Sequence, residues 1–417
     1  MLERERRGSP LLFLFAAVFV DMVGYGIVVP LLPFYAQQYA AGAALVGLLG
    51  SLYAATQLVS SPFLGGLSDR TGRRPVLLIC LLGTSLAYLL LGLAGTLSLL
   101  VVAVALAGGA AGTLATAQAY IADSTPPEDR ARGLGLIGAA FGLGLVGGPA
   151  LGGLLSLYSL GAPAFAAAAL ALCNVMFGFF ILPESLPSEH RVPTPILHLN
   201  PISQLRSVLK MRGIRALLLV VFLLNLSFAG LLTNFPIFSN ARFGWDATAN
   251  AFFFAFVGVC AVLTQGVLLG RLQPRFGEER LLLGGLSLAA LNLGLMALVP
   301  SGWMLYPVVG ILAVGIGLTI PALTALISRS VSGREQGKVM GGQQGILSST
   351  LILGPLIAGL AFDHLGVPAP YWVGSLLAAL ALLVAVAALL LEYPGRNVAK
   401  RIFSRQDTSG KPRKSGE

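Results

Sequence analysis

Charge is scarce in this sequence. Asp, Glu, Lys and Arg make up 11% of its 417 residues, less than half of the roughly 25% that soluble domains carry. No long polar stretch remains that could fold separately, so two or three soluble domains of ordinary size are excluded. Cysteine and histidine are rarer still, at three each. Cys80, Cys173 and Cys260 lie far apart inside apolar runs, which indicates neither a disulfide framework nor a thiolate metal site. His190, His198 and His364 fall in polar connections without metal-ligand spacing. There is no Walker A loop, no HExxH and no Cys/His cluster, so ATP-driven transport and metalloprotease chemistry lack support. Two GxGxxG matches, starting at Gly133 and Gly142, follow no strand, and no acidic residue occurs downstream before Glu184. They read as helix-packing glycines, not a dinucleotide site. No cofactor, metal or catalytic residue is indicated, and the chain is not expected to be an enzyme.

What is present is apolar. Hydrophobic residues reach 56% and mean hydropathy is +0.84. Twelve helices of roughly 20 residues would need about 240 residues, which that fraction supplies. The fold class is therefore an all-α polytopic membrane protein. Apolar runs between charged or Pro/Gly breaks give spans at 10–38, 43–64, 75–94, 97–122, 133–158 and 161–182. The second half gives 214–240, 247–270, 281–299, 302–328, 338–362 and 369–392. The run after MLERERRGSP is too long for a signal-peptide core and lacks a clean cleavage site, so it reads as a retained first span. The domains are a first six-helix bundle at 1–182, a proline-rich linker at 183–213 ending in the amphipathic piece ISQLRSVLKM, a second bundle at 214–392, and a basic tail at 393–417 with the composition of a disordered segment.

The net charge of +10 has a topological reading rather than a nucleic-acid one. Of the 27 lysines and arginines, 26 fall in the N-terminus, in the connections after even-numbered spans, in the linker or in the tail. Only Arg242 lies on the other side. Such a partition places both termini and the linker in the cytoplasm of a multi-pass protein of the inner or plasma membrane. The halves also repeat. GGLSDRTGRRPVLL from Gly65 matches GRLQPRFGEERLLL from Gly270, and GPALGG from Gly148 matches GPLIAG from Gly354, as parallel six-span repeats require.

Three motifs carry a resemblance. Gly65-x-Leu67-x-Asp69-Arg70-x-Gly72-Arg73-Arg74, between spans 2 and 3, resembles the signature loop of the major facilitator superfamily. Its glycines permit a tight turn, and its acid and arginines form a charged cluster at helix ends. The resemblance implies a gate that latches the two halves on the cytoplasmic side, with Arg130 nearby. Gly144-x-x-x-Gly148-Pro149-x-x-Gly152-Gly153 in span 5 resembles the antiporter motif of drug:proton exporters. Small residues at this spacing let helices approach closely, and Pro149 bends the span. Span 1, with Asp21-x-x-Gly24-x-Gly26-x-x-x-Pro30-x-x-Pro33, is similar to the tetracycline and multidrug branch of the 12-span exporters, as are RFGWDAT and AYIADSTPPEDRARG. Implied are a major facilitator fold of two six-helix pseudo-symmetric halves, a monomer, and small-molecule export coupled to protons. The departures are specific. Val104 stands where that branch carries an arginine, and Ala87, Ala261 and Leu288 stand where tetracycline exporters place Asp, His and Asp. A metal–tetracycline chelate finds none of those partners here.

Of 17 acidic residues, Asp21 alone lies deep inside a span, near mid-bilayer. An ionised carboxylate there costs roughly 2.5–3.5 kcal/mol on the insertion scale, and intramembrane acids are functional by default. Asp21 is therefore the candidate proton-coupling site, against the bland reading of a neutral Asp permanently hydrogen-bonded to a neighbouring helix. Polar residues within spans, chiefly Tyr25, Gln118, Asn225, Asn234, Gln265 and Gln343, are substrate-binding candidates, and interhelical hydrogen bonding is the alternative for each. The phenylalanines at 252, 253, 254 and 256 read as packing. The expectation is proton-coupled export of lipophilic or amphipathic small molecules, with the lipid bilayer and substrate as partners and no nucleic acid. A facilitator or symporter for a neutral metabolite such as a sugar is the alternative.

Overall fold

The computed structural model describes residues 8–39, 42–125, 130–191, 211, 214–331 and 336–391. The N-terminal arginines, most of the linker with its amphipathic piece, and the tail lie outside the described residues. The first half consists of α1 (Gly8–Val28), α2 (Leu32–Gln37), α3 (Ala43–Thr71), α4 (Arg73–Gly92), α5 (Leu97–Gly109), α6 (Thr113–Ser124), α7 (Arg130–Ser156) and α8 (Ala162–Ile181). The second contains α9 (Arg215–Phe228), α10 (Leu231–Phe243), α11 (Ala247–Leu263), α12 (Leu269–Leu298), α13 (Leu305–Arg329), α14 (Gln336–Leu365) and α15 (Ala369–Leu391). Among the described residues, nine helices are long and apolar enough to cross a membrane, or ten if the bent pair α9–α10 is one span. Large apolar side chains such as Val59, Phe180 and Leu376 are exposed, as a hydrocarbon solvent requires.

Breaks follow local chemistry. Pro30 and Pro33 lack the N–H that a continuous helix needs, and a 3₁₀ turn, Val29–Leu31, joins α1 to α2. Gly112 ends a turn between α5 and α6. The signature stretch expected to be a loop is helical on both sides of one residue. Gly72, at φ 107°, is all that separates α3 from α4. Outside hydrocarbon a charged stretch still gains by keeping its helical hydrogen bonds, so the reversal contracts to the residue that tolerates a positive φ. Its repeat partner Gly277, at φ 73°, breaks the long run Ala247–Leu298 in the same way.

Packing repeats between the halves. α1 lies on α7 and α8 as α9 lies on α14 and α15; α3 packs on α5 as α11 packs on α13; α4 packs on α5 and α8 as α12 packs on α13 and α15. Side chains repeat with their roles exchanged. Ser85 Oγ on α4 donates to the Ala168 carbonyl on α8 at 2.9 Å, whereas Ser375 on α15 donates back to Ala290 on α12 at 2.7 Å. Arg73 and Asp123 pair at 2.7 Å between the start of α4 and the end of α6. Glu278 and Arg329 hold the corresponding places at 2.8 Å, with the charges reversed. The halves meet where α3 crosses α14 and α7 crosses α11.

Candidate functional site

α1 presents two faces. Gly26 and the backbone at Phe19, Val23 and Ile27 lie against Gly144, Gly148, Pro149 and Gly152 of α7, so closely that a Cβ on Gly148 would stand 2.6 Å from the Val23 carbonyl oxygen. The α7 motif therefore grips the helix that carries Asp21. Gly153 turns the other way, against Thr248 and Ala251 of α11 in the second half. One helix thus joins the acid-bearing span to the opposite bundle. Pro149 lies inside α7 and is buried.

Asp21 is 8% exposed. Its carboxyl interacts with the side chain of Thr113, whose hydroxyl oxygen is buried. Thr113 opens α6 immediately after the turn in span 4, so the acid faces the start of a half-helix. That end carries partial positive charge. Four residues on, one turn along the same face, stands Tyr25.

Tyr25 lines a cavity of about 100 Å³ between the halves. Tyr53, Gln57 and Tyr88 join it from the first half, and Thr233, Leu351 and Pro355 close it from the second. The Tyr25 and Tyr53 rings stand 5.7 Å apart at 51°, and the Tyr88 ring packs on the backbone of Gly24. Ala87 and Val104 also line the cavity. At two places where the resemblance implied an acid and an arginine, the wall is therefore aliphatic. The cavity suits an apolar or aromatic body with few hydrogen-bonding groups.

The charged cluster lies at the ends of the helices of the first bundle. Arg73 bonds three side chains: Nη1 donates to Asp69 at 2.5 Å and to Ser68 Oγ at 2.6 Å, and Nε donates to Asp123 at 2.7 Å. Glu184, just after α8, accepts from the backbone N–H of Arg73 at 2.8 Å and of Arg74 at 3.3 Å, capping α4. Arg74 donates to the Phe179 carbonyl at 2.5 Å and lies over the Phe179 ring. The cluster ties α3, α4, α6 and α8 together. Arg70 is exposed, Gly65 has open space around it, and the side chain of Arg130 lies outside the described residues.

Of the substrate candidates, the structure brings Tyr25 to this cavity. Asn234 is buried beside a smaller cavity of about 30 Å³ and donates to the Pro355 carbonyl. Asn225 donates within its own helix to Val221. Gln118 and Gln265 are exposed, Gln265 on a π-helical turn, and Gln343 is half-buried. Phe253 stacks on Phe235 at 4.3 Å inside a core cluster, as packing predicts. Sequence reasoning missed Tyr53, Tyr88 and Thr113. Tyrosines count as apolar in a hydropathy window, and the turn that precedes Thr113 has no proline to announce it.

A bundle of apolar helices with a cavity between two repeated halves, and a buried acid one helical turn away, is the architecture of a membrane transporter. The family model described as Major Facilitator Superfamily matches residues 14–341 and 266–407, and the chain belongs to that superfamily as a multi-pass membrane protein. It is 39% identical to the tetracycline resistance protein, class C, of Escherichia coli over 84% of this chain and 89% of that one. It is 31% identical to multidrug resistance protein 2 of Bacillus subtilis (strain 168), over 84% of this chain and 88% of that one. Among solved structures, the human organic anion transporter MFSD10 (TETRAN) superposes with a TM-score of 0.68 at 25% identity, covering 91% of this chain and 99% of that one.

Proposed function

We propose that the chain is a proton-coupled exporter of lipophilic or amphipathic small molecules that works by alternating access, as a monomer. Residues 1–182 and 214–392 form the two six-helix halves, giving twelve spans when Ala247–Leu298 crosses twice and α7 once. Both termini and the linker at 183–213 lie in the cytoplasm. On this orientation the Asp363 end of the bundle faces outward, and the halves are closed there. The observation that carries the reading is the placement of Asp21 one turn from Tyr25 at the inter-half cavity. An acid alternately shielded and opened to water picks up and releases a proton, and a solute bound in the same space links that exchange to transport. The names of the relatives support drug export, while Ala87 and Val104 in the cavity wall favour apolar solutes over a metal–tetracycline chelate. An uncoupled facilitator gives Asp21 no part to play. The test is the drug sensitivity of an exporter-deficient host with and without this gene: export lowers sensitivity to lipophilic compounds, and uptake raises it or leaves it unchanged.

A further inference from the structure

Helix α3 begins without a cap of its own. Its N-cap residue is Gly42, and no side chain there accepts from the first turn. The repeat copy, α11, is self-sufficient: Asp246 is its N-cap and accepts from the Ala249 N–H at 2.8 Å. The acceptor that α3 lacks comes from the other half of the molecule. Asp363, near the end of α14, accepts from the Ala43 N–H at 3.0 Å through one carboxylate oxygen and from the Ala44 N–H at 2.8 Å through the other. Below this point the two helices touch backbone to backbone. Gly47 meets the Pro355 carbonyl and Gly359 meets the backbone of Ala43 and Ala44, with no room for a Cβ at either glycine. Ser51 Oγ donates across the seam to the Ile352 carbonyl at 2.5 Å.

We infer that Asp363 is a positioning residue for transport, a latch between the halves that completes the first turn of α3 only while the seam is closed at this end. The inference rests on the alternating-access reading above. In the open state both the N–H groups and the carboxylate turn to water, so these bonds weight the closed state alone. A cap of this kind is worth about two- to thirtyfold in an equilibrium. Loss of Asp363 therefore raises the open-to-closed ratio at this end by that factor.

The test is the distance distribution between spin labels at Tyr158 and Trp303, which are 85% and 67% exposed in connections of opposite halves at this end. It is measured on the full chain in liposomes, in a background without the three native cysteines. Wild type gives a short and a long distance, and Asp363→Ala enlarges the long population. Asp363→Asn gives an intermediate long population, because its one amide oxygen can accept from Ala43 or Ala44 but its NH2 cannot take the place of the second oxygen. The decisive variant is Gly42→Ser combined with Asp363→Ala, which gives α3 a cap of its own in space the Asp363 carboxylate would otherwise crowd. A local cap steadies α3 in both states, so thermal stability recovers while the long population stays enlarged. If Asp363→Ala leaves the distribution unchanged, or if the double variant returns it to wild type, Asp363 is only a helix cap and the latch is wrong. A single distance for wild type under every pH and substrate condition overturns the alternating-access reading and the latch with it.

Discussion

Asp21 owes its interest to position. A carboxyl this enclosed is stable in the membrane as the neutral acid, and charging it there costs roughly 2.5–3.5 kcal/mol. On the proposed mechanism this acid is shielded in one state and reaches water in the other, where it exchanges its proton. Asp21→Asn mimics the neutral form, so the variant is expected to fold and bind substrate but to lose pH-gradient-driven accumulation in liposomes. Uphill transport by that variant with wild-type pH dependence removes Asp21 from the proton path. The acid was legible in the sequence because nothing else acidic lies so deep in an apolar run. Its surroundings were not, because Thr113, Tyr53 and Tyr88 come together only when spans 1, 2, 3 and 4 pack.

At the scale of elements, the glycines of α7 divide by what they face. A Cβ on Gly148 would stand 2.6 Å from the Val23 carbonyl oxygen and 2.7 Å from Gly26 Cα, whereas Gly142 and Gly147 have nothing within 4 Å. Gly148→Ala is expected to force α1 and α7 apart, costing about 1–3 kcal/mol as overpacking does and abolishing transport. Gly147→Ala is expected to be silent in both. Melting temperature and drug resistance measured side by side check the contrast, and equal effects at the two positions contradict it. The spacing of these glycines revealed a close helix contact in advance, since small residues at such intervals have few other uses in lipid. The reversal at Gly72 is shorter than the charged stretch implies, because charge ends the membrane there and not the helices. The turn before Gly112 left no mark beyond ordinary glycines.

The whole molecule is two copies of one packing plan. The sequence carried this as a weak repeat, and the structure carries it as matched contacts: Gly72 with Gly277, Arg73–Asp123 with Glu278–Arg329, Ser85 with Ser375. Reversed charges and exchanged donors explain why the likeness is faint by identity. The geometry needs a pair at each place, not a given residue. Orientation rests on the basic residues alone, so cysteines placed in connections 2–3, 6–7 and 10–11 should react only from the cytoplasm. Labelling from outside at a cysteine near Arg73 overturns the topology. The central claim is coupling. The most direct measurement is transport of a lipophilic fluorescent dye by the purified chain in liposomes under an imposed pH gradient. Coupled export predicts dye accumulating above equilibrium on the acidic side, with protons counter-flowing and the accumulation collapsing when a protonophore is added. Dye that merely equilibrates, at a rate the gradient does not change, contradicts the account.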